Sequence, residues 1–105
     1  MAHQETLDLA EFHGDGISAE LSESVHQLAQ CLPVDIIFHP VDLTLERRNA
    51  DAAAAYEEAE AAIRKHGVAM KYPTVTAEES PNKVLRDRFE FSVIHRPVRS
   101  IPGVV

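Results

Sequence analysis

The stretch from Leu7 to Gly16, LDLAEFHGDG, decides the fold, because an alternating run of apolar and acidic residues leads directly into two glycines. Alternation with a period of two is typical of a β-strand, and the glycines permit a tight turn into a helix. We therefore predict that strand one ends at His13. From Ser18 to Leu32 the apolar residues recur at helical spacing, which predicts a helix that Pro33 ends.

The same alternation of strand and helix patterns continues along the chain. An alanine-rich stretch carries acids early and bases late and stops at Gly67, which indicates a helix. The further predictions are a strand at Val34–Phe38, a helix at Asn49–His66, a strand at Val68–Met70, a helix at Pro81–Phe91 and a strand at Ser92–His95. This alternation predicts an α/β fold, a three-layer, mostly parallel sheet built from βαβ units.

Length and charge bound the class of protein. The 105 residues predict a single α/β domain over 1–105. With 17 acidic and 10 basic residues the net charge is −7, and no Lys/Arg-rich run occurs, which argues against nucleic acid and anionic membranes as partners. A single cysteine, Cys31, and the lack of a targeting or membrane-spanning stretch of about 20 apolar residues predict a cytoplasmic protein.

The stretch Ser80-Pro81-Asn82-Lys83-Val84-Leu85-Arg86, with Arg96 further on, has the chemistry of an anion site. Ser80 is a good N-cap, and Arg86 lies one turn beyond Asn82 on the same helix face. Two guanidinium groups beside a helix start can each grip a carboxylate, which suits di- or tricarboxylic acids. On spacing alone an alternative stays open, in which Ser-Pro merely starts a helix and the arginines are solvated.

Three motifs resemble the isocitrate/isopropylmalate dehydrogenases, the NAD(P)-dependent β-decarboxylating dehydrogenases. They are His13-Gly14-Asp15-Gly16-Ile17 with Glu20, Met70-Lys71-Tyr72-Pro73-Thr74-Val75-Thr76, and Ser80-x-Asn82-x-x-Leu85-Arg86 followed by Arg96. The similarity runs from Leu7 to Val105, covers only the amino-terminal part of that family's polypeptide, and is closest to the isocitrate dehydrogenase branch. His13 and Ser18-Ala19 depart from the family's usual turn.

The resemblance implies roles for seven residues. The positions that match the family's substrate site are Thr76, Ser80, Asn82, Arg86 and Arg96, and those that lie toward the nucleotide are Lys71 and Thr74. It also implies NAD(P) and a magnesium or manganese ion as cofactors. Without the resemblance, Thr74 and Thr76 could simply end a strand, and Lys71 could be solvated.

The chemistry of the family requires residues that this sequence does not match. Oxidation and decarboxylation need clustered aspartates on a metal, a Tyr and Lys acid–base pair and a cofactor loop, all found beyond the matched part of the family. The six histidines show no metal-ligand spacing. We therefore predict no catalytic residues and no activity for this chain alone.

Two hypotheses from different classes follow. The first is an isocitrate dehydrogenase-like unit that binds a polycarboxylate such as isocitrate, with a homo-oligomer or a partner supplying the missing half. The second is a non-catalytic interaction or regulatory module derived from that family. A degraded gene product without function is a third possibility.

Overall fold

The computed structural model describes residues 5–77, 79–89, 95 and 97–103. Within them, strands and helices alternate along the chain. The elements are β1 (Glu5–His13), α1 (Ser18–Ala29), β2 (Val34–Asp42), α2 (Leu45–His66), β3 (Ala69–Lys71) and α3 (Pro81–Phe89). Strand one ends at His13, as predicted.

The three strands form one parallel sheet in the order β2-β1-β3. The pairing of β1 with β2 extends from Glu5 opposite Val34 to His13 opposite Asp42. The shorter β3 pairs with the second half of β1. Because all three strands run in the same direction, the loops that follow them meet at one edge of the sheet, where ligands bind in open parallel sheets.

Helices cover both faces of the sheet. Successive residues of β1 point to opposite faces. On one face, Glu11 contacts side chains of α1. On the other face the main core packs against α2 and α3, and it consists of Ala10, Phe12, Val41, Leu43, Ala55, Tyr56, Ala59 and Leu85. The predicted three-layer α/β fold with parallel βαβ units is therefore confirmed.

The first helix is shorter than predicted, because α1 ends at Ala29 and not at Leu32. The N–H groups of Cys31 and Leu32 donate to carbonyls three residues earlier, at 3.0 and 3.2 Å. Such bonds are the tighter turns that often close a helix. The chain thus leaves the helix before it reaches Pro33.

The second strand is longer than predicted, and it runs through Pro40 to Asp42. Proline cannot donate to a sheet ladder, so the sequence pattern suggested an end at Phe38. In the described part of the chain β2 pairs with β1 alone. Proline is tolerated in a strand at the edge of a sheet, where one side of the backbone needs no partner.

The second helix begins at Leu45, earlier than the predicted Asn49, and is kinked at Asp51. Thr44 caps its start, since its hydroxyl accepts the Arg47 N–H at 3.3 Å. Asp51 has non-helical dihedral angles, and its carboxylate accepts the Ala54 N–H at 3.1 Å, which caps the second segment. The predicted stop at Gly67 is confirmed by its left-handed φ of 83°.

The end of the chain is described only in part. The third helix starts at Pro81 as predicted and is described to Phe89. The predicted fourth strand falls on residues 92–94, outside the described residues, and on His95, which has no regular secondary structure. None of the helices in the described ranges combines the length and apolar character that a membrane span requires.

Candidate functional site

The turn between β1 and α1 is tied to the segment after β3. A Cβ atom on Gly14 would stand 2.1 Å from the Pro73 carbonyl oxygen, so only glycine fits there. The Asp15 N–H donates to that same carbonyl at 2.8 Å. Gly16 has a φ of 62°, which glycine adopts without strain. The two glycines of the predicted turn thus have separate roles, close approach for the first and chain reversal for the second.

Asp15 joins three loops at the carboxyl ends of the strands. Its Oδ1 accepts the N–H of Leu45 at 2.8 Å, at the start of α2. Its Oδ2 accepts the Val75 N–H and Arg48 Nη2, both at 2.9 Å. Burial alone would raise the pKa of Asp15, but these backbone hydrogen bonds and the Arg48 charge hold the pKa below its usual value.

The guanidinium of Arg48 forms its hydrogen bonds within the protein, and only 6% of the side chain is exposed. Its Nε donates to the Leu43 carbonyl at 2.9 Å, and Nη2 donates to the Val75 carbonyl at 2.8 Å as well as to Asp15. This arginine therefore fixes the loops and is not available to a ligand. The sequence pattern did not reveal it, because its partners Asp15 and Val75 lie 33 and 27 positions away.

A cleft of about 400 Å³ lies on the α2 and α3 side of β3, and we name it the β3 cleft. Three of the predicted site residues, Lys71, Asn82 and Arg86, line it together. Its remaining wall is mostly apolar and consists of Phe12, Ile63, Gly67, Val68, Ala69 and Leu85. A strand end and a helix start that are distant in sequence thus converge, as the fold predicts for this edge of the sheet.

The two polar residues that α3 contributes to the β3 cleft form no hydrogen bond or ion pair with other described side chains. Asn82 and Arg86 are both exposed, one helical turn apart on the same face. Within the described part of the chain, neither the Asn82 amide nor the Arg86 guanidinium forms a hydrogen bond or an ion pair. These groups are therefore available to bind a ligand.

Lys71 and Thr74, which the resemblance assigns to the nucleotide, contact each other. Lys71 Nζ donates to Thr74 Oγ1 at 2.9 Å and to the Tyr72 carbonyl at 3.0 Å. Burial of the ammonium, helped by the nearby Arg48 charge, lowers the pKa of Lys71 despite the opposite effect of Asp15. Only Lys71 of this pair lines the β3 cleft.

The other predicted site residues do not line the β3 cleft. Ser80 acts as a weak cap of α3, because its hydroxyl accepts the Lys83 N–H at 3.5 Å. Thr76 is exposed after the last strand. Arg96, the second predicted guanidinium, lies outside the described residues.

The sequence reasoning missed a buried carboxylate between β1 and α1, that of Glu11, which is 1% exposed. Tyr72 donates to its Oε2 at 2.5 Å, and Ser22 donates to the same oxygen at 3.2 Å. His26 Nε2 lies 2.7 Å from Oε2, and His13 Nε2 lies 2.9 Å from Oε1. We name these five residues the Glu11 cluster. Its signal in the sequence was an acid between two apolar residues, Ala10 and Phe12, in the second half of β1, where all three are buried.

The negative charge of the Glu11 carboxylate is stabilised by the other members of the Glu11 cluster. Burial alone would raise the pKa of Glu11, but the Tyr72 and His26 hydrogen bonds and the charges of both histidines outweigh burial and lower it. Burial and the carboxylate neighbour raise the pKa of Tyr72 to about 12. Because both carboxylate oxygens have protein partners, three at Oε2 and one at Oε1, the cluster is a structural link between the sheet and α1.

The carboxylate cluster that a magnesium or manganese site needs is not formed by the described residues. The close group of three possible ligands in those ranges is Asp8, His39 and His66, and two of its members are imidazoles. Magnesium prefers oxygen ligands, so this group does not fit the implied cofactor.

This chain matches no protein-family model and no curated protein at a significant level.

Proposed function

We propose that the β3 cleft binds a small polycarboxylate such as isocitrate, and that the chain acts as the substrate-binding unit of an isocitrate dehydrogenase-like assembly. The observation that carries this proposal is the convergence of Lys71, Asn82 and Arg86 on one cleft. Asn82 and Arg86 come from the α3 motif, which the resemblance assigns to the substrate, and Lys71 comes from the end of β3, which it assigns to the nucleotide.

The first support is the state of the Arg86 side chain. Its guanidinium is exposed and makes no ion pair in the described part of the chain, although 17 acids are present in the sequence. A planar guanidinium binds a carboxylate through two parallel hydrogen bonds. One carboxylate of the ligand pairs with Arg86, and the Asn82 amide, one turn away, can donate to an adjacent carboxylate or hydroxyl.

The second support is the electrostatic state of Lys71. Its ammonium is partly buried beside the Arg48 charge, which lowers its pKa and disfavours the cation. A second carboxylate in the cleft would offset that cost by supplying a neighbouring negative charge. A ligand with at least two carboxylates therefore binds better than a monocarboxylate, which cannot pair with Arg86 and Lys71 at the same time.

The third support is the size and wall of the β3 cleft. A volume of about 400 Å³ lies in the range of small-molecule sites, and an apolar wall with a few converging polar groups is typical of them. The side chains of Phe12 and Leu85 would contact the carbon skeleton of the ligand.

The chemistry that this proposal assigns to the chain is binding and not catalysis. By resemblance, NAD(P) would supply hydride transfer and a divalent metal would stabilise the developing charge, with their ligands on a partner. The resemblance places Lys71 and Thr74 toward the nucleotide. In this proposal Thr74 keeps that role, whereas Lys71, which lines the β3 cleft, binds the second carboxylate of the ligand.

Calorimetric titration with isocitrate tests this function. Arg86→Ala is expected to weaken isocitrate binding about 10- to 100-fold, the effect of losing hydrogen bonds to a charged group. The matched control is Lys83→Ala, which removes one positive charge from the same helix, because Lys83 pairs with Asp87 and does not line the cleft. Equal affinity in wild type and Arg86→Ala, or no binding of isocitrate, citrate or malate, would contradict the proposal.

A second candidate function, an interaction module, is favoured by an apolar face where the end of α1 meets the sheet. Leu28 and Leu32 are 68% and 49% exposed, beside an apolar groove that also includes Met70. Apolar residues left uncovered together are typical of an interface. The occupant proposed here is a second copy of the chain, which would bury this face against itself.

Light scattering tests that interface. The wild type is expected to self-associate with rising concentration, and Leu28→Glu is expected to shift the mass to that of a monomer, because a charge would be buried. Ile17→Glu is the matched control, since Ile17 is 57% exposed but does not line the groove. A wild type that stays monomeric at the highest concentration would contradict this function, and Arg86→Ala should leave the mass unchanged.

A further inference from the structure

We propose that Asp8, His39 and His66 form a binding site for a zinc ion on the α2 face of the sheet. The three residues come from β1, β2 and the last position of α2, so the fold brings them together from distant parts of the chain. None of them lines the β3 cleft, and the inference is independent of the polycarboxylate proposal.

The geometry places one ligand atom of each residue near a common point. One nitrogen or carboxylate oxygen from each of the three lies within 4.8 Å of the other two. His39 Nε2 is 2.9 Å from Asp8 Oδ1, and the rings of His39 and His66 stack with centroids 3.9 Å apart. In a tetrahedral zinc site with bonds of about 2.0–2.1 Å, ligand atoms stand roughly 3.3 Å apart. The two ring planes are only 17° apart, so coordination of one ion requires one ring to rotate out of the stack.

The donor set selects the metal. Two imidazoles and one carboxylate are ligands that zinc accepts readily, and they leave a fourth position for water. Calcium and magnesium prefer sites made wholly of oxygen atoms, so the imidazoles disfavour both. The two histidines lie at half-buried positions and Asp8 is exposed, so an ion can enter from solvent.

The surroundings favour a cation as well. His66 is the last residue of α2, where the carbonyl ends of the helix carry partial negative charge. Helix α2 is long, and the net charge of the whole chain is −7. The sequence spacing gave no hint of this site, because Asp8 and His39 are 31 positions apart and His66 follows on another element.

Calorimetric titration of the full chain with zinc chloride, together with the visible absorption of bound cobalt(II), tests the site. One zinc ion per chain is expected, with cobalt bands typical of four ligands. His66→Gln and Asp8→Asn should each weaken zinc binding at least about 10-fold, because each removes a ligand while keeping side-chain size similar. His95→Gln and Cys31→Ser, both at exposed positions, are the controls and should leave the affinity unchanged.

Three results would overturn the inference. They are no zinc binding by the wild type, unchanged zinc affinity in His66→Gln and Asp8→Asn, and loss of binding in Cys31→Ser or His95→Gln. Far-ultraviolet circular dichroism of each variant without metal separates loss of a ligand from loss of folding. A normal spectrum with weaker zinc binding supports the site, and isocitrate affinity is expected to stay unchanged in these variants.

Discussion

Replacing Asp15 with alanine is expected to lower the free energy of unfolding by about 3–5 kcal/mol, the effect of breaking a buried ion pair from one side. The substitution leaves the Arg48 guanidinium, 6% exposed, without its carboxylate. It also leaves the N–H groups of Leu45 and Val75 without an acceptor. Denaturation in urea, followed by circular dichroism, measures the difference.

The matched control for Asp15→Ala is Asp87→Ala. Asp87 pairs with Lys83 on the solvent side of α3, where an ion pair contributes little to stability. The double variant Asp15→Ala/Arg48→Met should be less destabilised than Asp15→Ala alone, because it removes the unpaired charge. If Asp15→Ala and Asp87→Ala have the same small effect, Asp15 does not hold the three loops together.

Replacing Glu11 with glutamine is expected to lower the free energy of unfolding by about 2 kcal/mol at pH 7, because hydrogen bonds to a charged acceptor are lost. Glutamine keeps the size of the side chain but has one acceptor oxygen instead of two. Tyr72 and His26 contact Oε2 and His13 contacts Oε1, so the amide of glutamine turns its NH2 group toward one of these two sides. Glu57→Gln, at an exposed position of α2, is the control.

Acid should bring the stability of the wild type closer to that of Glu11→Gln. The pKa of Glu11 is lower in the folded protein than its ordinary value of 4.5, so the carboxylate stabilises the fold above that pH. This contribution is lost as the pH falls through the lowered pKa. The stability difference between wild type and Glu11→Gln should therefore shrink between about pH 5 and pH 3. A difference that stays constant over this range would show that ionisation of Glu11 contributes nothing.

Local patterns were enough to predict most of the fold. Alternation from Leu7 onward, helical spacing in α1 and the glycine after α2 each depend on neighbouring residues alone. The boundaries that differ depend on tertiary context. Pro40 lies in a strand because β2 is at the edge of the described sheet, and Asp51 kinks α2 while its carboxylate caps the next segment. Neither effect is visible before the elements are assembled.

In the candidate site, too, local patterns predicted some features, and tertiary contacts determine the others. Helical spacing predicted that Asn82 and Arg86 share a face, and both line the β3 cleft together with Lys71 from the end of β3. The Asp15–Arg48 pair and the Glu11 cluster were missed, since their members are brought together across 33 and 61 positions of sequence. Such long-range contacts produce no periodic pattern in the sequence.

The most direct test of the polycarboxylate proposal is a titration of isotope-labelled protein with isocitrate, followed through its backbone amide signals by nuclear magnetic resonance. The amides of residues 67–71 and 82–86, the two segments that border the β3 cleft, are expected to shift together and to saturate. In Arg86→Ala the same signals should stay in place at equal isocitrate concentration. Shifts confined to other parts of the chain, or none at millimolar isocitrate, would contradict polycarboxylate binding in the β3 cleft.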